Sequence, residues 1–363
     1  MPEALMPMVS ATIDAAALRH NLRAVRRRAP DSRVMAVVKA NAYGHGLVAV
    51  AQTLCDADAF AVARVDEGLA LRRAGIVKPV VLLEGVVDEG QLAAAAAAGF
   101  ELVVHQAEQI ELLRDCGAPR PLTVWLKQDS GMNRLGLKGA EFGAALEELR
   151  GVPSVRQPVN LFTHLASADE PLSEVTGEQL QRFAAATRGL PGERSIANSA
   201  ALLNYPQAHA DWVRPGLLLY GVSPMAGAIG ADHGLQPVMS LQSRVIAVKR
   251  VARGERVGYG GAFCAARPTL LAVAAIGYGD GYPRSLRAGA PVLVDGRRGA
   301  LAGRVSMDMI GIDVTDFAPP ARLGDPVTLW GPGLPVEEVA LWAATIPYEL
   351  LCGVSQRVAC ELR

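Results

Sequence analysis

The chain has 363 residues, half of them hydrophobic, which leaves room for about two domains and excludes a mainly disordered protein. Lys plus Arg and Asp plus Glu number 36 each, so formal net charge is zero, and aromatics make up only 5%. That balance gives no electrostatic footprint for nucleic acid or an anionic membrane, and it disfavours an extended base-stacking surface.

In chain order, Asp14 is placed to cap a first helix, in which Leu18, Leu22 and Val25 recur at i, i+4 and i+7. Strand candidates follow at RVMAVVKA (33–40), AFAVA (59–63), PVVLLEG (79–85), FELVVH (100–105), LTVWLKQ (122–128), VNLFTHLA (159–166), RSIAN (194–198) and GLLLYG (216–221). Helical runs separate them, most ending in Gly, and Ala93–Ala98 reads as part of a close-packed helix. Eight strands with helical connections predict an α/β fold, a closed (β/α)8 TIM-like barrel over residues 11–236. An open doubly wound sheet should carry GxGxxG after its first strand, and this chain has NAYGHG there. From residue 237 to 363 the texture becomes strand-like, with Gly, Pro and Asp-Gly turns and one late helix, PVEEVALWAAT. This predicts a mostly β C-terminal domain, and the sequence leaves open whether residues 1–10 add a strand to it.

The five cysteines, Cys55, Cys116, Cys264, Cys352 and Cys360, are odd in number and include no CxxC pair. Neither a disulfide framework nor a metal site is expected. The opening MPEALMPMVS lacks a basic segment followed by an apolar one, and no apolar run approaches a membrane span. The expectation is a cytoplasmic chain without membrane contact.

Barrel enzymes keep their catalytic groups at the C-terminal ends of the strands. Lys39, Lys127, Asp129, Arg134, His164, Asn198 and Ser199 fall at or near such ends, and Arg214 lies just before the eighth strand candidate. Lys39 follows an apolar strand, where desolvation lowers an amine's pKa and suits it to Schiff-base chemistry.

AVVKANAYGHG around Lys39 resembles the pyridoxal phosphate attachment motif of the alanine racemases. GMNRLG, THLASAD, ANSA, RPGLLLYG, GYGGAF, GYGDGYPR, GRVSMD and TIPYEL match the same family in the same order, so the resemblance covers nearly the whole chain. It implies a homodimeric alanine racemase with pyridoxal 5'-phosphate on Lys39. The phosphate would be held by Tyr43, Ser199, Gly216, Leu217 and Tyr348 beside Asn198, and the ring nitrogen would be faced by Arg214. Arg has no acceptor lone pair, so it disfavours protonation of that nitrogen. His164 would bridge Arg214 and Tyr259.

The resemblance further implies two bases, Lys39 on one face of the substrate and Tyr259, contributed by the second subunit, on the other. Arg134 and Met307 would meet the substrate carboxylate. Lys127, close to Arg134, needs a neutralising group: a carbamate on its own amine or an anion such as chloride. Asp169, Tyr278, Arg284, Arg304 and Ile346 would line the channel to the site. Ser306 stands where many relatives have Cys, and Gln128 and Ser130 also depart from the common pattern, all beside the essential groups. The D-alanine so formed would serve peptidoglycan synthesis, and the reverse direction catabolism. The alternative within the same fold is a racemase of broad amino-acid specificity. A decarboxylase on this scaffold would need an acidic partner at the ring nitrogen, and a non-catalytic barrel would lack Tyr259 and its domain.

Overall fold

A computed structural model describes residues 7–118 and 120–363. Strand β1 (Ser10–Ile13) leads into helix α1 (Ala15–Arg28), and Asp14 between them accepts from the Ala17 N–H at 2.9 Å, the cap its carboxylate was placed to make. Leu18, Leu22 and Val25 are buried along one stripe of α1. Of the leading segment, residues 1–6 lie outside the described residues. Of the remainder only Ser10 enters β1, which otherwise lies beyond that segment and pairs antiparallel with Met239–Val251 and parallel with Ala359–Leu362, inside the C-terminal sheet.

Among the described residues, eight parallel strands close into a barrel. They are β2 (Arg33–Val37), β3 (Ala59–Val62), β4 (Val80–Leu82), β5 (Glu101–Val104), β6 (Val124–Lys127), β7 (Asn160–Phe162), β8 (Arg194–Asn198) and β9 (Trp212–Arg214). The ring closes where Arg33 and Val34 pair with Trp212 and Val213. β3 and β4 are buried throughout, because packed helices cover one face and barrel side chains fill the other. Ala93–Ala98 end the helix Glu89–Ala98, which stops at Gly99 in the left-handed region at φ 64°.

One strand differs from the sequence expectation. GLLLYG is not the eighth strand; Trp212–Arg214 is, and Leu217–Tyr220 forms a buried 3-10 turn. A short, wholly apolar run reads equally as a buried strand or a buried turn. Pro215, with no N–H to give a ladder, stands where β9 ends. Arg214 is therefore the last residue of a barrel strand rather than a residue ahead of one. Likewise β2 stops at Val37, which puts Lys39 just past the strand.

The C-terminal sheet runs in the order Thr269–Ala274, Ile310–Asp313, Arg297–Leu301, Pro291–Val294, Pro326–Trp330, Met239–Val251, β1, Ala359–Leu362. The long strand Met239–Val251 changes partner at a bulge near Val245, pairing first with Pro326–Trp330 and then with Thr269–Ala274. Asp295 and Gly296 have φ of 50° and 72°, as a two-residue Asp-Gly hairpin turn requires. The late helix, Val336–Trp342, ties the halves together: Glu337 Oε1 accepts from the Ser223 and Gly230 N–H groups at 2.9 Å each. All five cysteines are unpaired, and no helix among the described residues is long and apolar enough to cross a membrane.

Candidate active site

The chain leaves β2 through a rare conformation. Ala40, Asn41, Ala42 and Tyr43, none of them glycine, have φ between 50° and 54° in succession. Left-handed backbone costs L-residues roughly 1–2 kcal/mol each, so the surroundings must impose it. The Glu67 carboxylate accepts from the Ala40 N–H at 2.6 Å and from the Ala63 N–H at 2.8 Å. The Asn41 side chain accepts from the Leu47 N–H at 2.9 Å. Gly44, at φ 78°, lets the Leu351 carbonyl lie against the turn where any Cβ would collide with it. The helix Pro347–Cys352 is thereby seated on the barrel, bringing the Tyr348 ring 5.7 Å from that of Tyr43.

Tyr43 is buried, and its hydroxyl sits so close to Gly216 that a Cβ there would lie 2.5 Å from it. The Gly216 N–H donates to Ser199 Oγ at 2.8 Å, so the Ser199 hydroxyl proton remains available to a ligand. Asn198 caps the short helix behind Ser199 by accepting from the Ala201 N–H. Neither phenol, Tyr43 nor Tyr348, has a hydrogen-bond partner among the described residues. Burial raises the pKa of both, Tyr348 to about 12, so both stay protonated donors. Two unpartnered phenols, one serine hydroxyl and the backbone that opens the Leu217–Tyr220 turn thus form a donor cradle. Its chemistry fits a phosphate.

Arg214 is only 3% exposed, and among the described residues it donates to neutral acceptors alone. Its Nη1 donates to Ser195 Oγ at 2.7 Å, and Nη2 donates to Thr163 O at 2.7 Å, Ile196 O at 3.1 Å and His164 Nδ1 at 3.1 Å. Its guanidinium lies 4.0 Å from the centre of the Phe162 ring. Arg can only donate, so His164 Nδ1 is the acceptor and its proton sits on Nε2. Burial, then the charge of Arg214, pushes the His164 pKa far down, which keeps this imidazole neutral.

Lys127, 6% exposed at the end of β6, has no carboxylate partner among the described residues. Burial first, then the charges of Arg214 and Arg134, lowers its pKa to about 8. Asp129, the nearby carboxylate, is committed to the loop: it accepts from the Gly131 and Asn133 N–H groups and pairs with Lys138. That loop carries Arg134, whose charge reaches both Lys127 and His164.

The structure does not gather every expected residue. Tyr259 is 67% exposed on a turn that Arg256 steadies by donating to the Gly261 carbonyl, within the C-terminal domain. Met307, Tyr278 and Ile346 are exposed too, and Arg284 stacks loosely over Tyr278 while donating to Val305 O. Asp169 stays near the barrel mouth, where its charge helps raise the Tyr348 pKa.

Sequence reasoning missed Glu67 and Ser195. Glu67 is the third residue of helix Val65–Arg73 and could have been found as a capping glutamate without its usual Ser or Thr partner. Ser195 looks like an ordinary strand residue, and only the closed barrel reveals its bond to Arg214.

A (β/α)8 barrel followed by a β domain, with a half-buried lysine, a buried arginine that meets no carboxylate among the described residues and a cradle of hydrogen-bond donors at the barrel mouth, defines a class of two-domain barrel enzymes. The sequence matches the alanine racemase N-terminal domain over residues 13–224 and the alanine racemase C-terminal domain over residues 238–362. It is 54% identical to an alanine racemase of Nitrosococcus oceani over 97% of this chain and 99% of that one. It is 51% identical to one from Shigella boydii serotype 18 over 98% and 99%. The structure superposes on the biosynthetic alanine racemase of Pseudomonas aeruginosa with TM-score 0.95 at 47% identity, covering 99% of this chain and all of that one. It superposes on the Acinetobacter baumannii alanine racemase with TM-score 0.93 at 39% identity, with the same coverage. The chain belongs to the alanine racemase family.

Proposed function

We propose that this chain interconverts L- and D-alanine in the cytoplasm, as a homodimer carrying pyridoxal phosphate on Lys39. The observation that carries the reading is the donor cradle joined to Lys39 and Arg214 at one barrel mouth. When bound, pyridoxal phosphate supplies an electron-withdrawing ring that acidifies the α-hydrogen of the amino acid attached to it. Tyr43, Ser199 and Tyr348 donate to the phosphate, with the amides at Gly216 and Leu217 close by. Arg214 retains Nε–H and one Nη1–H beyond its recorded partners, and it presents a donor to the ring nitrogen without protonating it.

Lys39 Nζ handles the proton on one face of the α-carbon. On the other face the reading places Tyr259 of the partner subunit, whose hydroxyl would meet the Nε2–H of His164. The exposed Tyr259, Tyr278, Met307, Met309 and Ile346 support a surface that a second copy covers. Arg134 takes the substrate carboxylate, and its fork suits that planar group. Lys127 beside it is neutralised by a carbamate or a bound anion. Met307 caps the carboxylate, and Asp169, Tyr278, Arg284, Arg304 and Ile346 line the channel.

A racemase assay on a panel of L-amino acids, with borohydride fixing of the cofactor followed by peptide mass analysis, tests this. Alanine should be the preferred substrate and Lys39 the labelled residue. Labelling of another lysine, or no racemisation of alanine, would overturn the reading. Equal rates across the panel would replace alanine by a broad substrate class.

A further inference from the structure

We propose that His45 is a positioning residue for the cofactor phosphate: its Nδ1–H locks the end of the left-handed turn and so fixes where Tyr43 puts its hydroxyl. The inference rests on pyridoxal phosphate binding at Lys39. His45 is almost fully buried, and its Nδ1 lies 3.0 Å from the Ala42 carbonyl oxygen and 2.8 Å from that of Tyr43. Both are acceptors only, so Nδ1 bears the proton. The four strained residues are then held from both sides. Glu67 takes the first N–H of the turn, and His45 takes its last two carbonyls.

The other ring nitrogen argues against a packing role. Nε2 is buried with no hydrogen-bond partner among the described residues. A phenyl ring would fill the same space without burying a lone pair. What the imidazole adds is the Nδ1–H. Burial also lowers its pKa to about 4, so it stays neutral and keeps the single Nδ1 proton near neutral pH. Tyr220 completes the support: its ring lies 4.5 Å from that of His45 and 4.9 Å from that of Tyr43, and its hydroxyl is anchored on Val37 O at 3.0 Å. If the two carbonyls are released, the turn can relax toward ordinary backbone, and Tyr43 Oη moves away from Gly216 and Ser199.

Asn places an amide N–H where Nδ1–H stands, whereas Gln places its amide at the Nε2 end. Cofactor release from the holoenzyme, followed by its visible absorbance, separates them. His45→Asn should release pyridoxal phosphate at a rate close to wild type. His45→Gln and His45→Phe should release it about tenfold faster, the factor expected for losing one buried neutral hydrogen bond. Should His45→Gln not fold, His45→Phe, which keeps the ring shape, carries the comparison. Release of pyridoxal, which lacks the phosphate, should not distinguish the variants, and in a Tyr43→Phe background the His45→Phe effect should largely vanish. Equal release from Asn and Phe variants, an equal effect on pyridoxal, or an undiminished effect in Tyr43→Phe would overturn the proposal. A wild-type protein holding no cofactor on Lys39 would instead overturn the functional reading beneath it.

Discussion

The barrel mouth and the exposed face of the C-terminal domain are two halves of one proposed site built to different standards. At the mouth, Lys127, Ser199 and Arg214 are buried, Arg214 is held by four neutral acceptors, and Lys127 and His164 have displaced pKa values. On the C-terminal face, Tyr259, Tyr278 and Met307 are exposed. On the proposed reading the buried, pre-organised half would hold cofactor and substrate, while the second half would supply reactive and apolar groups that a single chain leaves uncovered. The difference teaches that one chain is only part of the proposed catalytic unit.

The largest effect should come from the built half. Lys39→Ala should abolish racemisation, by more than the about 10⁴-fold upper value for losing a general base, because anchor and base go together. Activity within a hundredfold of wild type would mean that the barrel mouth is not the reacting centre. Tyr259→Phe should cost about 10²- to 10⁴-fold while leaving the fold intact. In deuterated solvent this variant should still exchange the α-hydrogen of D-alanine through Lys39, and that of L-alanine far more slowly. Equal exchange from both enantiomers points to a single mobile base.

A smaller effect should follow from Lys127. Its folded pKa, about 8, lies below the ordinary 10.5, so between those values the unfolded chain binds more protons. Stability should therefore rise as pH rises through that window, by about 3 kcal/mol in all. Denaturant titrations in carbon-dioxide-free buffer should show the rise, and Lys127→Met should flatten it. Bicarbonate should also flatten it if a carbamate is the neutralising group. A pH-independent wild type would remove the electrostatic argument for neutralisation. The smallest effect belongs to the exposed half: Tyr278→Phe and Met307→Ala should change the stability of the chain by no more than about 0.5 kcal/mol. A larger loss in the isolated chain would show that this face is part of the fold's own packing.

The barrel was legible because its strands are short β-branched runs at regular spacing, and the candidate groups followed from their position at strand ends. The eighth strand was misplaced because Leu217–Tyr220 is as apolar as any strand, while Trp212–Arg214 spans only three residues. The left-handed run Ala40–Tyr43 carries little local signal, since only Asn41 is a residue that tolerates positive φ and neither alanine nor tyrosine announces it; the bonds from Glu67 and His45 impose it. Arg214 was legible as a charge at the site, but its set of neutral acceptors was not, because Ser195, Thr163 and Ile196 meet only when β7, β8 and β9 lie side by side.

Subunit exchange tests the two-half account most directly. Lys39→Ala and Tyr259→Phe proteins, each inactive alone, should be mixed under conditions that exchange subunits, with heterodimer formation verified by mass. In each heterodimer one site then combines an intact Lys39 with an intact Tyr259 from the other chain. Statistical exchange should restore about a quarter of wild-type activity, since half of the dimers each gain one of two sites. Verified heterodimers that stay inactive would contradict the account, placing both bases within one chain.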